Sequence, residues 1–207
     1  MLAESLGVSR TTVRAALQSL AADGLISRRR RLGTFVNAHL LGRSMRLNRL
    51  VPFTQLIRQV GREPSVDPQS ARHDVAGGEV ADALGIDPDT PCLVVDRLLR
   101  ADGAPVIAVT DVVPADQLAV DLAALPEAES TFEFLAATGI GPVDYATSEF
   151  IPRVATRTAP QSLDIAPGTA YIELLETHFT RDHERIAVSR VSVNDTVVRL
   201  SLLRRDL

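Results

Sequence analysis

At 207 residues, 45% of them hydrophobic and 23% charged, the chain has the composition of a folded protein of one or two domains, not of a disordered or fibrous one. No run approaches the ~18–20 apolar residues of a membrane-spanning helix and no charged-then-apolar leader opens it, so a cytoplasmic protein with no membrane partner is expected. The single Cys92 excludes an internal disulfide and a multi-cysteine zinc site, and the charge is split: residues 1–49 hold nine Arg against two acids, residues 50–207 hold 13 Arg against 24. A basic module joined to an acidic one implies that only the first meets a polyanion.

Taken in chain order, Leu2, Ala3 and Leu6 read as the end of a helix, with Gly7-Val8 as the tight turn after it. Ser9 is placed to cap the next helix, in which Val13, Ala16, Leu17 and Leu20 fall at helical spacing and predict a buried stripe, and Gly24 stops it. The opposite face carries Arg10, Thr11, Thr12, Arg14 and Gln18, side chains that donate to phosphates, reach base edges and offer a methyl to thymine. Residues 25–27 and 34–36 predict two short strands around Arg28, Arg29, Arg30, Arg31, Leu32 and Gly33. In such a wing, the four arginines would lie against phosphates or in a minor groove. Residues 38–51 lack a clean period and are expected to form a linker between 1–37 and 52–207, with His39 an ordinary surface residue.

From Pro52 the pattern alternates. Phe53 to Val60 predicts a helix, residues 65–74 an extended segment, and Ala76 to Leu84 a helix ended by Gly85. Residues 92–100 and 105–113 are β-rich runs joined through Ala101-Asp102-Gly103-Ala104, a strong hairpin signal. Ser130 to Thr138 predicts a capped helix, residues 142–155, 170–181 and 185–194 strands, and about 158–165 a short helix. Two long hairpins with intervening helices make an α+β domain on an antiparallel sheet.

"LAESLGVSRTTVRAALQSLAADGLISRRRRLGTFV" resembles the winged helix-turn-helix of GntR-family bacterial transcription regulators over about 35 consecutive positions. "PFTQLIRQVGREP", "ADALGIDPDTPCLVVDRLLRADGAPV", Pro114 and "STFEFLAATGI" resemble the UTRA effector domain, the chorismate-lyase-like sensor of the HutC branch of that family. The resemblance implies DNA contacts from Ser9, Arg10, Thr11, Thr12 and Arg14, with the wing arginines Arg28 to Arg31 following the groove. It implies a homodimer reading an inverted repeat in double-stranded DNA, and release of that DNA by a small-molecule effector, hence a repressor. It also implies a module that begins with a further helix and a Pro-Ser-Glu-type entry. This chain starts after both, so an N-terminally incomplete and weakened reading head is expected; Arg31 stands where the family has Gly near the wing tip.

For the effector, the resemblance implies an anion held at the start of the first sensor helix, at Phe53 and Thr54, with Arg97 from the hairpin and Ser130 at the pocket. Where the family has a second hairpin arginine this chain has Leu99, and where it has a sugar-binding acid this chain has Val109. These departures point from a sugar phosphate toward a carboxylate-bearing or less polar effector. Arg190 is a candidate second anchor, and Tyr171 and Glu173 are candidates for the rim.

An enzyme would need convergent acid–base or nucleophilic groups. His39, His73, His178 and His183 show no metal spacing, Cys92 has no His partner in view, and Walker, dinucleotide and Gly-x-Ser-x-Gly motifs are missing, so neither catalysis nor a cofactor is expected. Two readings stay open: a ligand-responsive regulator, or a shortened small-molecule-binding and dimerising module without effective DNA binding.

Overall fold

The computed structural model describes residues 2–22, 24–38, 44–118, 125, 127–156 and 163–202, which fall into two compact units. His39 and most of the helix expected at about 158–165 lie outside the described residues.

The first unit, residues 1–49 with 200–207, opens with α1 (Leu2–Ser5) and α2 (Arg10–Ala22). Ser9 caps α2 as its sequence position predicts: its Oγ accepts from the Thr12 amide at 3.0 Å, satisfying one of the free donors of the first turn. The hairpin β1 (Ile26–Arg29) and β2 (Gly33–Val36) follows, closed at its base by Asn37, whose side chain donates to the Gly24 carbonyl at 2.6 Å. A short strand β3 (Met45–Arg46) completes this part. The predicted stripe on α2 is not buried: Val13 and Leu17 are half-covered, and Ala16 and Leu20 are exposed. Among the described residues of this unit only Gly24, Ile26 and Met45 are fully buried, so helical periodicity is present without a layer to bury it.

The second unit, residues 50–199, is a seven-stranded antiparallel sheet with helices on its two faces. In chain order it runs α3 (Phe53–Gln59), β4 (Pro64–Val66), β5 (Ser70–Val75), α4 (Gly78–Leu84), β6 (Pro91–Ala101), β7 (Ala104–Pro114), α5 (Thr131–Ala137), β8 (Tyr145–Val154), β9 (Ala170–Phe179) and β10 (Arg185–Val193). The order across the sheet is β4-β6-β7-β10-β9-β8, with β5 also on β6. A last strand, β11 (Leu200–Ser201), pairs in parallel with β3 in the first unit.

The extended segment expected at 65–74 is two strands, both on β6. The break falls where the Asp67 carboxylate takes the Arg100 guanidinium in a two-point pair at 2.8 and 2.9 Å. The hairpin β6–β7 turns through Asp102 and Gly103 with φ of 51° and 83°, the left-handed pair that matches strand twist. Register then slips by one. Arg100 pairs with Pro105 but Leu99 pairs with Ile107, which leaves Val106 as the extra residue of a bulge.

That slip decides which side chains share a face. Leu93, Val95, Val113 and Ala187 pack against Phe134 and Leu135 of α5 on one face. Cys92, Val94, Val112, Leu175 and Val188 pack against Val80, Ala81 and Leu84 of α4 on the other. Cys92 is fully buried, and burial raises its thiol pKa, so it stays protonated and inert. Pro152 sits in β8 because that strand is at the sheet edge, where a missing N–H breaks no ladder.

Leu135, 1% exposed in the α5 cluster, tests this packing. Leu135→Ala is expected to destabilise the second unit by about 2–5 kcal/mol, read as a lowered midpoint in urea with an unchanged slope.

Candidate functional site

Charged groups are rare in β6 and β7, and the two that face α5 meet. Arg97 on β6 and Asp111 on β7 are diagonal neighbours, because Arg97 pairs with Val109 and side chains alternate by two. Both are almost wholly buried, and Arg97 Nη1 donates to Asp111 Oδ2. Arg97 Nε donates to the Ala128 carbonyl at 2.9 Å, and its guanidinium lies 5.1 Å over the Phe134 ring.

The Asp111 carboxylate also accepts from Thr131 Oγ1 at 2.9 and 3.1 Å and from Ser189 Oγ. Those bonds set the proton on the neighbouring imidazole. Ser189 spends its one hydrogen on Asp111, so at the 2.7 Å contact with His178 its oxygen accepts, and His178 Nε2 carries the N–H. Burial holds the His178 pKa below its ordinary value, with Asp111 opposing, and the ring is neutral. Its Nδ1 is therefore a bare lone pair.

These groups floor a pocket of about 350 Å³, solvent in its mouth included, lined by Pro52, Phe53, Arg97, Leu99, Val109, Glu129, Ser130, Thr131, Phe132, Glu176 and His178. Two floor atoms, Arg97 Nη2 and His178 Nδ1, are buried with no hydrogen-bond partner among the described residues. Glu176 lies beside them, taking a 2.7 Å bond from Ser148 Oγ, and burial raises its carboxyl pKa, with the Asp111 charge adding to the rise. Ser130 serves two ends: it lines the pocket and caps α5, accepting from the Glu133 amide at 3.2 Å.

Of the predicted effector residues, Phe53, Arg97 and Ser130 line this pocket, and so do Leu99 and Val109 as an apolar wall. Thr54 is buried but not on the lining. Tyr171, Glu173 and Arg190 do not reach it, which corrects that part of the expectation. By register they lie on the opposite face of the sheet, with α4. There Arg190 and Arg153 bridge Glu79 of α4 to Glu173 of β9. Asp111, Thr131, Glu176, His178 and Ser189 were missed. The legible sign was a lone acid inside the apolar run 105–113, because a buried carboxylate demands a partner.

In the first unit, Ser9, Arg10, Thr11, Thr12 and Arg14 are all exposed on one end of α2, the two hydroxyls of Ser9 and Thr12 bonded to each other at 2.8 Å. Arg28, Arg29, Arg30 and Arg31 are exposed along the β1–β2 hairpin, with Arg29 5.6 Å over Phe35. Arg31 has φ of 67°, the left-handed conformation in which a side chain costs roughly 1 kcal/mol and glycine nothing. Among the described residues no group of three or more His, Cys, Asp or Glu could hold a metal, and no helix is long and apolar enough to cross a membrane.

Comparison with known proteins assigns both units. Residues 59–204 match the UTRA domain, and residues 1–36 match the bacterial regulatory proteins of the gntR family. The HTH-type transcriptional regulator RB1450 of Rhizobium meliloti is 27% identical over 189 residues, 91% of this chain and 77% of that protein. PhnF of Mycobacterium smegmatis superposes with a TM-score of 0.67 at 22% identity, covering 99% of this chain and 89% of PhnF. Its separately solved effector domain superposes with a TM-score of 0.65 at 18% identity, covering 78% of this chain and 99% of that domain.

Asp111→Asn leaves the Arg97 charge buried and unpaired, and is expected to cost about 3–5 kcal/mol in a denaturant titration; a loss under 1 kcal/mol contradicts the pairing. For Glu176, both folded and unfolded chains hold the proton below the ordinary glutamate range. Above it the unfolded chain ionises first, so parent stability falls as pH rises toward the raised folded value. Thermal melts from about pH 5 to about pH 8 are expected to show Glu176→Gln gaining on the parent as pH rises.

Proposed function

We propose that this chain, which belongs to the UTRA family and carries a gntR-family reading head ahead of that domain, represses transcription until a small molecule occupies the Arg97 pocket. It is a ligand-responsive, DNA-binding regulator of transcription. The observation that carries the mechanism is the pocket floor, where Arg97 Nη2 and His178 Nδ1 are buried without a partner among the described residues, a recognition surface that offers a donor and an acceptor. Ser189 lies 2.7 Å from His178, but it is buried off the pocket lining, gives its hydrogen to Asp111 and accepts from the imidazole, so the histidine is not its base. We read the domain as a sensor, not an enzyme, acting in the cytoplasm.

On the DNA side, the exposed end of α2 with Arg10, Thr11, Thr12 and Arg14 supports a recognition helix in the major groove, and Arg28 to Arg31 support a wing on the phosphates. We place DNA reading in 1–37, the linker in 38–51 and sensing in 52–207. Two copies related by a two-fold axis would read an inverted repeat, and the effector releases DNA only by binding better to the state in which the two helices are wrongly spaced.

A second reading, a ligand-binding and dimerising module with feeble DNA binding, draws on one observation: the apolar stripe of α2 is not buried among the described residues of the first unit, few of which form a core. Mobility shifts separate the two. Under the regulator reading, Arg10→Ala removes preference for the operator over random DNA, whereas Arg30→Ala lowers affinity for both and reduces the salt slope by about one. Salt-insensitive or absent binding by the parent chain favours the second reading, and equal loss on both DNAs in Arg10→Ala refutes base recognition by that residue.

A further inference from the structure

Accepting the Arg97 pocket as the effector site, its donors and acceptors define what kind of molecule completes it. Arg97 has little left to offer. Nη1 gives one hydrogen to Asp111, Nε gives its own to the Ala128 carbonyl and the guanidinium face lies on Phe134, so the charge is already paired and Nη2 is the buried nitrogen left without a partner among the described residues. Leu99 and Val109 beside it on the wall add no donor, and Ser130, whose oxygen accepts from the Glu133 amide, offers one hydroxyl hydrogen. A phosphate brings close to two negative charges and needs positive charge that is not already paired, whereas the Arg97 charge is held by Asp111 and the carboxyls of Glu176 and Glu129 stand on the lining. Burial already disfavours the charge on Glu176, and an anion beside it disfavours that charge further.

Acceptors, in contrast, are in excess. His178 Nδ1 is a lone pair by the proton logic of the Asp111–Ser189–His178 chain. Glu176 stands on the same strand two residues away and therefore on the same face, with Glu129 on the lining as an exposed carboxylate. An ammonium has three N–H groups and no lone pair, which matches three acceptors. A hydroxyl brings one hydrogen and two lone pairs that would face acceptors unsatisfied. The rings of Phe53 and Phe132, also on the lining, suit a cation and not an anion.

We infer that the effector is a small molecule that presents a primary amine to Glu176 and His178 and one hydrogen-bond acceptor to Arg97, and that it carries no phosphate. This replaces the anionic effector expected from the family resemblance.

The test is a thermal-shift titration of the full chain with tyramine, putrescine and agmatine as amine probes, and with inorganic phosphate and glucose 6-phosphate as phosphate probes. At least one amine is expected to raise Tm by about 2 °C or more at millimolar concentration, and neither phosphate probe to do so. Glu176→Gln, which keeps the side-chain volume, is expected to weaken the amine about tenfold or more. Stabilisation by a phosphate probe that is lost in Arg97→Gln overturns the amine inference and leaves the pocket reading standing. An amine bound equally well by the parent and Glu176→Gln lies elsewhere, and overturns the inference and removes support for the pocket. Absence of a shift with all three amines also overturns the inference.

Discussion

A guanidinium and a carboxylate buried side by side, Arg97 and Asp111, constrain the whole second unit. Two ions taken out of water carry a desolvation cost of several kcal/mol each, and their attraction offsets it only when the remaining hydrogen-bonding capacity is filled. The fold meets it from three directions: β10 supplies a serine, α5 a threonine, and the loop before α5 a carbonyl. Each group must arrive from its own element at bonding distance, so the pair fixes the placement of α5 on the sheet as well as the floor beneath the pocket. Arg97 Nη2 and His178 Nδ1, at that floor, are the buried atoms of this network without a partner among the described residues.

Much of this architecture was legible in the residues, and the boundary of legibility has a physical cause. The Asp102-Gly103 turn, the paired runs around it and the serine cap of α5 announce themselves through local chemistry, and each sits where that chemistry places it. Arg97 came from a family resemblance, and Leu99 and Val109 were recognised as departures that do line the pocket. That Asp111 needs a partner was legible, but its pairing with Arg97 was not, because pairing counted outward from the turn puts the two on opposite faces; only the extra residue Val106 brings them together, and a bulge leaves no mark in a run of apolar residues. Tyr171 and Glu173 fail for the same reason as Glu176 and His178 were missed. One strand offers two faces, and nothing within it says which face meets a pocket and which meets a helix.

In the reading head the opposite happened. Surface chemistry was easy to read, and the exposed Arg and Thr side chains of α2 stand where helical spacing places them. The apolar stripe was read equally easily and is not buried, since periodicity records what a helix can cover and not what covers it. Arg31, where the family carries glycine, takes up the left-handed backbone that glycine would adopt without cost.

The face opposite the pocket has its own attachments. Apolar contacts from Val80, Ala81 and Leu84 and the bridges from Glu79 to Arg153 and Arg190 hold α4 to the sheet, the bridges adding little on their own because they are partly solvated. Strand β9 serves both sides at once, with Glu176 and His178 toward the pocket and Glu173 and Leu175 toward α4. Substitutions that retune ligand choice at one set of alternate positions therefore leave the other set's packing largely untouched. A lineage of such sensors can diversify in what it detects, strand by strand, while the scaffold that reports detection is inherited unchanged.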